Sequence, residues 1–377
     1  MKNILVIKAS HTSNRTLANR RTALVTALGI GTSLIFSAAM LSAQSSDDTQ
    51  PFLPNPVRTV STVPANGDVN PYGVAFVPGN VSSGMLHPGD ILVSNFNNVK
   101  NLQGTGTTIV RVPATGKPTL FFQGPPNIGL STALHVLKSG VVLVGNFPSS
   151  DGTCATARSG SILVISPWGK LLGRIANKYI DGPWDSAIID NGSSAKLFVA
   201  NGLSGTVTRL DLSWTSSKIV QKGVQIGSGY AHQCDPVTFV DAPTGLVYNP
   251  KTDELYVAST ADNKVFALDD AATTDKDEGT GWVLYSDHKH LHGPLGMTMA
   301  PNGHLLVSNN DVINSDPAQP SEIVEFTLRG HFVKQLSVDP AQGASFGLNV
   351  RTVNDLSTFA AVDDATNALL IWKLPQQ

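Results

Sequence analysis

The sequence predicts an all-β fold, a six-bladed β-propeller of four-stranded antiparallel blades, on three observations. One phrase, a turn followed by a short strand and then an apolar strand ending on a polar residue, returns six times. Successive copies stand 51 to 60 residues apart, the spacing of propeller blades lengthened by loop insertions. The last copy stops one strand short, while a spare strand stands at the front of the repeats. The clearest copies are Pro71-Tyr72-Gly73 with Ile91-Leu92-Val93-Ser94-Asn95, and Pro294-Leu295-Gly296 with Leu305-Leu306-Val307-Ser308-Asn309.

Before the repeats, Lys8, Arg15, Arg20 and Arg21 precede an uncharged run from Thr22 to Gln44 with the small pair Ser42-Ala43 near its end. A basic start, an apolar stretch and a small-residue cleavage site read as an export signal over residues 1–43, giving a periplasmic or extracellular protein. The run is also just long enough to span a bilayer, so an uncleaved anchor is the alternative and the one route to a membrane. Residues 44–56 are polar and contain Pro, and read as a disordered tether.

The propeller then runs over 57–377. Val57 to Val63 is the spare strand, expected to complete the last blade beside Asn367 to Leu374. Closing the ring in this way leaves no open seam between blades and hides strand edges. The turn position of the six copies reads Gly73, Ala133, Asp185, Gly245, Gly296 and Gly347. The strand-end position reads Asn95, Asn146, Asn201, Ser259, Asn309 and Asp363. Between them lie β-branched and aromatic runs such as Val141 to Val144 and Leu255 to Val257, punctuated by Gly, Asn, Asp and Pro. Two further strands complete each unit, as in Thr108 to Val112 and Pro118 to Gln123.

Charged residues make up only 14 % of the chain and the net charge is −2, which argues against a nucleic-acid partner. The abundance of Gly (34) and Pro (23) suits a turn-rich β protein. The two cysteines, Cys154 and Cys234, fall in long connections that emerge on the same face of such a disc, and an exported protein keeps a disulfide.

That face also carries the channel mouth. Asn95, Asn146, Asn201, Asn309 and Asp363 are expected to ring it, with Tyr72, Trp184, Asp185 and Phe346 from the turns between them. Amide and carboxylate oxygens converging from several blades suit a polar ligand or a hard cation, Ca²⁺ above all, held by Asp185, Asn146, Asn201, Asn309 and Asp363. The same residue types also end strands by bonding their local backbone, which is the competing reading. His288, His290 and His292 would share one face of an extended segment, and His135 stands inside the first strand of the second blade, where a general base or a structural histidine fits. No Gly-x-Ser-x-Gly elbow and no phosphate-binding Gly-rich loop is present.

Pro-x-Gly, then Leu-x-Val-x-Asn, then Gly205-Thr206-Val207 or Asn263-Lys264-Val265, resembles the NHL repeat from about Val57 to Leu374. The resemblance implies a fold shared with gluconolactonase-like metal-dependent lactonases, streptogramin lyases, strictosidine-synthase-like proteins and non-enzymatic binding modules. Lactonases of this kind hold a divalent cation with a first-blade Glu, two Asn and an Asp. Asn146, Asn201 and Asp363 match three of these, but the first blade lacks Glu, leaving Asp185 as the substitute. The lyases carry His in the turn phrase and Glu at the strand end, where this chain has other turn residues and Asn. The expected function is therefore binding of a small polar ligand, glycan or protein at the channel mouth. The alternative is a metal-dependent lactonase, hydrolase or lyase.

Overall fold

The computed structural model describes residues 55–214, 219–318 and 322–374. The expected export signal and the tether up to residue 54 lie outside the described residues. Six four-stranded antiparallel sheets form the blades of a propeller. Their innermost strands are Val69–Phe76, Leu130–Val136, Pro183–Asp190, Pro243–Asn249, Pro294–Met299 and Ser345–Val353. Arg58–Ser61 pairs with Ala368–Leu374, so the first and last segments of the propeller share the sixth blade.

Period-two alternation builds the core. Ala75 and Leu92 of blade 1 pack toward blade 2 with Leu134 and Val144, while Val74 and Val93 pack toward blade 6 with Ala360 and Leu369. Equivalent apolar layers fill the other four seams, from Leu197 between blades 2 and 3 to Phe359 between blades 5 and 6. Each buried Leu, Val or Phe side chain contributes about 1.5–3 kcal/mol, and a second strand such as Ile91–Asn97 serves two seams at once.

The recurring Pro-x-Gly phrase lies within the innermost strand as a β-bulge, rather than as a turn before it. Pairing with the second strand shifts register at this place in all six blades, as between Pro71 and Val74 or Pro294 and Met297. A bulge sets two residues against one and re-aims the side chains on either side of it. The Ser of Leu-x-Val-Ser-Asn locks it. Gly73 N–H donates to Ser94 Oγ at 2.9 Å, and that hydroxyl donates to Ser131 O of the next blade at 2.8 Å. Blade 5 repeats the device, with Gly296 N–H on Ser308 Oγ at 2.9 Å and Ser308 Oγ–H on Phe346 O at 2.6 Å. Glycine is required where the next blade comes closest, since a Cβ on Gly347 would lie 1.6 Å from Tyr72 O.

Candidate functional site at the channel mouth

The bulge divides the channel. The first residues of the bulge, Tyr72, Trp184, Leu295 and Phe346, line a mouth cavity of about 370 Å³. Residues at and after it, among them Asp185, Gly296 and Leu348, line an inner cavity of about 350 Å³. Between the two lies an aromatic plug. Tyr72 sits 4.8 Å from Phe346, 5.0 Å from Phe96 and 5.7 Å from Trp184, and Trp184 meets Phe147 edge-on at 5.6 Å.

A hairpin formed by Gln233–Asp235 and Phe239–Asp241 reaches the mouth from the entrance to blade 4. Phe239 enters the plug, 5.5 Å from Phe96, and adopts φ +74°, a conformation bulky residues rarely take. Val237 and Thr238 at its tip line the mouth, and Gln103 of blade 1 donates to Val237 O at 2.8 Å. Cys234 anchors the hairpin to Cys154 in the short helical turn Cys154–Thr156 of blade 2, as a disulfide with Cα atoms 5.4 Å apart. Three segments distant in sequence are thus tied at one rim.

The mouth is lined by aromatic carbon below and by Asn70, Asn97, Asn101, Gln103, Asn310, Asp311, Gln342 and Asp364 around it. Asn70 is 6 % exposed and Asn97 2 %, and the Oδ1 atom of each has no hydrogen-bond partner. Trp184, 1 % exposed, likewise leaves Nε1 without an acceptor. Asp311 accepts from Gly343 N–H at 2.9 Å. Burial and the charge of Asp363 push Asp364 up to about 6. Burial and the charge of Asp364 raise the Tyr72 phenol well above its ordinary value.

The inner cavity has a different character. It is lined by aliphatic side chains of all six innermost strands, with Asp185, Ser186 and His135 among the polar groups. His135 Nε2 lies 2.8 Å from Ser186 Oγ and 3.1 Å from Ser186 O. Burial lowers His135 to about 4, leaving it neutral, and raises Asp185 to about 7 despite backbone hydrogen bonds from Ser186 and Leu246.

Of the residues expected at the mouth, the structure places Tyr72, Trp184 and Phe346 there and puts Asp185 beyond the plug. Asn95, Asn146, Asn201, Asn309 and Asp363 line neither cavity; each bonds a neighbouring segment or its own loop, and Asn95 Oδ1 alone of their amide and carboxylate groups is buried without a partner among the described residues. Asn95 donates to Thr62 O at 3.1 Å, Asn146 to Ile128 O at 3.2 Å, and Asn201 to Tyr179 O at 3.2 Å. Asn309 donates to His290 O at 2.8 Å and accepts from His292 N–H at 3.0 Å, while Asp363 accepts from Thr366. The side chains expected to hold a cation, Asp185, Asn146, Asn201, Asn309 and Asp363, are therefore not brought together. Among the described residues no group of three or more His, Cys, Asp or Glu is arranged for a metal ion.

The three loop histidines do not share a face, because the segment bends instead of extending. His288 is exposed; His290 bonds Asp287 at 2.6 Å and stacks on Phe332; His292 is buried 3.1 Å from Glu322. Burial favours the neutral Asp287 carboxyl, but hydrogen bonds from His290 and Tyr285 hold it well below the usual carboxylate range. The residues missed in the sequence are Asn310 and Asp364, one position after the expected Asn309 and Asp363, and Asn97, two after Asn95. Asn310 and Asp364 stand just past the last residues of their strands, Asn309 and Asp363, and Asn97 is the last residue of its own, so the mouth is lined from where the chain leaves the sheets.

No family model matches the chain, and no curated protein matches it. Among solved structures the chain is similar to a gluconolactonase from Xanthomonas campestris, with TM-score 0.52 and 12 % identity over 87 % of this chain and 99 % of that one. It is also similar to the calcium-binding protein regucalcin from Agrobacterium tumefaciens, with TM-score 0.51 and 11 % identity over 86 % and 98 % of the two chains. At this level of identity the likeness shows the common propeller fold.

Proposed function

We propose that this chain is an exported, NHL-type propeller that binds a small polar organic molecule, such as a glycan unit, in the mouth cavity without covalent catalysis. The observation that carries the reading is a concavity that combines an aromatic floor with buried polar atoms lacking partners. Its volume of about 370 Å³ falls in the range of small-molecule sites. Leaving a buried donor or acceptor unpaired costs about 1–3 kcal/mol, and Asn70, Asn97 and Trp184 carry this cost together at one place. A bound molecule would relieve it. The disulfide supports residence in an oxidising compartment.

A panel of monosaccharides and small polar metabolites, screened by saturation-transfer NMR, tests the reading. Binding should be saturable and should weaken in Asn97→Leu, which keeps side-chain volume but removes the amide. Binding that survives Asn97→Leu and disappears in Asp185→Asn would place the site in the inner cavity and overturn the proposal. A divalent cation is the competing occupant that the fold neighbours suggest. One ion per chain in protein purified without added metal, lost together with thermal stability on chelation, would favour it over an organic ligand.

A further inference from the structure

We propose that the molecule held at the mouth is an amino sugar, bound with its ammonium group against Asn70, Asn97 and Asp364 and a hydroxyl oxygen on Trp184 Nε1–H. This rests on the mouth being the binding site and adds the class of its ligand.

The cavity leaves several donors and acceptors unused. Asn70 and Asn97 each direct a buried amide oxygen to no partner, and both residues line the mouth. The Asp364 carboxylate, also lining it, makes no hydrogen bond among the described residues. All three are acceptors, and a primary ammonium is the compact group that offers three donors and no acceptor. Trp184 Nε1 is the one unsatisfied buried donor at the same cavity among the described residues, so the ligand must also carry an acceptor. A hydroxyl oxygen supplies it.

Charge points the same way. Asp311 and Asp364 line the mouth, whereas no Lys, Arg or His among the described residues does. The field there favours a cation, and a low-dielectric aromatic floor strengthens it. Size separates an amino sugar from smaller amines, because about 370 Å³ has room for a ring and its hydroxyls. A bare divalent ion is less well served, since no cluster of three ionisable ligands is present among the described residues.

The test is equilibrium binding of D-glucosamine, D-glucose and N-acetyl-D-glucosamine, followed by tryptophan fluorescence near neutral pH. Glucosamine should bind about tenfold or more tighter than either neutral sugar, the worth of one desolvated charged hydrogen bond. Asp364→Asn, equal in size, should bring that ratio close to one while leaving glucose unaffected. Should Asp364→Asn fail to fold, the comparison of glucosamine with its N-acetyl form in the unaltered protein carries the charge test alone. Glucose bound as tightly as glucosamine would overturn the ammonium assignment and leave the mouth reading standing. Binding of neither sugar class, or displacement of glucosamine by calcium beyond that caused by sodium chloride of equal ionic strength, would overturn it as well.

Discussion

His135 and Asn349 occupy the same place in blades 2 and 6, and each bonds the backbone of the blade that follows. His135 Nε2 lies 3.1 Å from Ser186 O, and Asn349 Nδ2 donates to Val74 O at 2.9 Å. The equivalence supports a structural role for His135. Its folded-state value, lowered from 6.5 to about 4 by burial, means the unfolded chain protonates first. Stability from this residue is thus intact above pH 6.5 and lost as pH falls through the window toward 4. We expect His135→Asn to preserve the melting temperature near neutral pH and to remove on the order of 1 kcal/mol of acid destabilisation, measured by urea unfolding across that window. An equal acid loss in both proteins would contradict the assignment. At this scale the sequence was only partly legible. Asn and Asp are the residue types that line the mouth, but from positions one or two further along, where the chain leaves the strands. Asn309 and Asp363 clamp their own loops, while Asn310 and Asp364 reach the mouth.

At the scale of elements, two devices shape the site, the bulge and the disulfide-bonded hairpin. Gly347 packs against the carbonyl of Tyr72 where no Cβ fits. Gly347→Ala is expected to destabilise the seam between blades 6 and 1 by about 3 kcal/mol and to loosen Tyr72, read as a lower urea midpoint and a broadened tyrosine signal. The hairpin depends on Cys154–Cys234, which closes a loop of 80 residues. Replacing both cysteines by serine should cost about 2–4 kcal/mol and weaken mouth ligands more than it alters far-ultraviolet circular dichroism. Unchanged affinity would show that the hairpin does not form the rim. Cysteine spacing and loop placement made this pairing legible in advance. The bulge was not: Pro-x-Gly reads as a turn in sequence, and only pairing across the strands shows that it sits inside one.

For the whole molecule, the repeat determines the ring, and the ring determines where the site lies. Period, strand count and the short last unit were all readable because each blade must bury both faces against its neighbours. The seams show how: Leu92 and Val93, adjacent in sequence, belong to different apolar layers. Closure adds a long-range tie, with Thr62 donating to Asn367 O at 2.9 Å and accepting from Asn95. Deleting residues 57–61 would uncover the edge of Ala368–Leu374, and concentration-dependent association in sedimentation velocity is the expected result. What periodicity could not convey was the aromatic plug that splits the channel, since it is assembled from Tyr72, Phe96, Phe147, Trp184 and Phe239 of separate segments. Binding at the mouth is read from the indole resonances of the five tryptophans, recorded in a ¹⁵N-labelled sample titrated with D-glucosamine. Binding at the mouth predicts a saturable shift of the Trp184 Nε1–H signal with the exposed Trp168 and half-exposed Trp282 unmoved. A saturable response that spares Trp184, or no response in any indole, would contradict it.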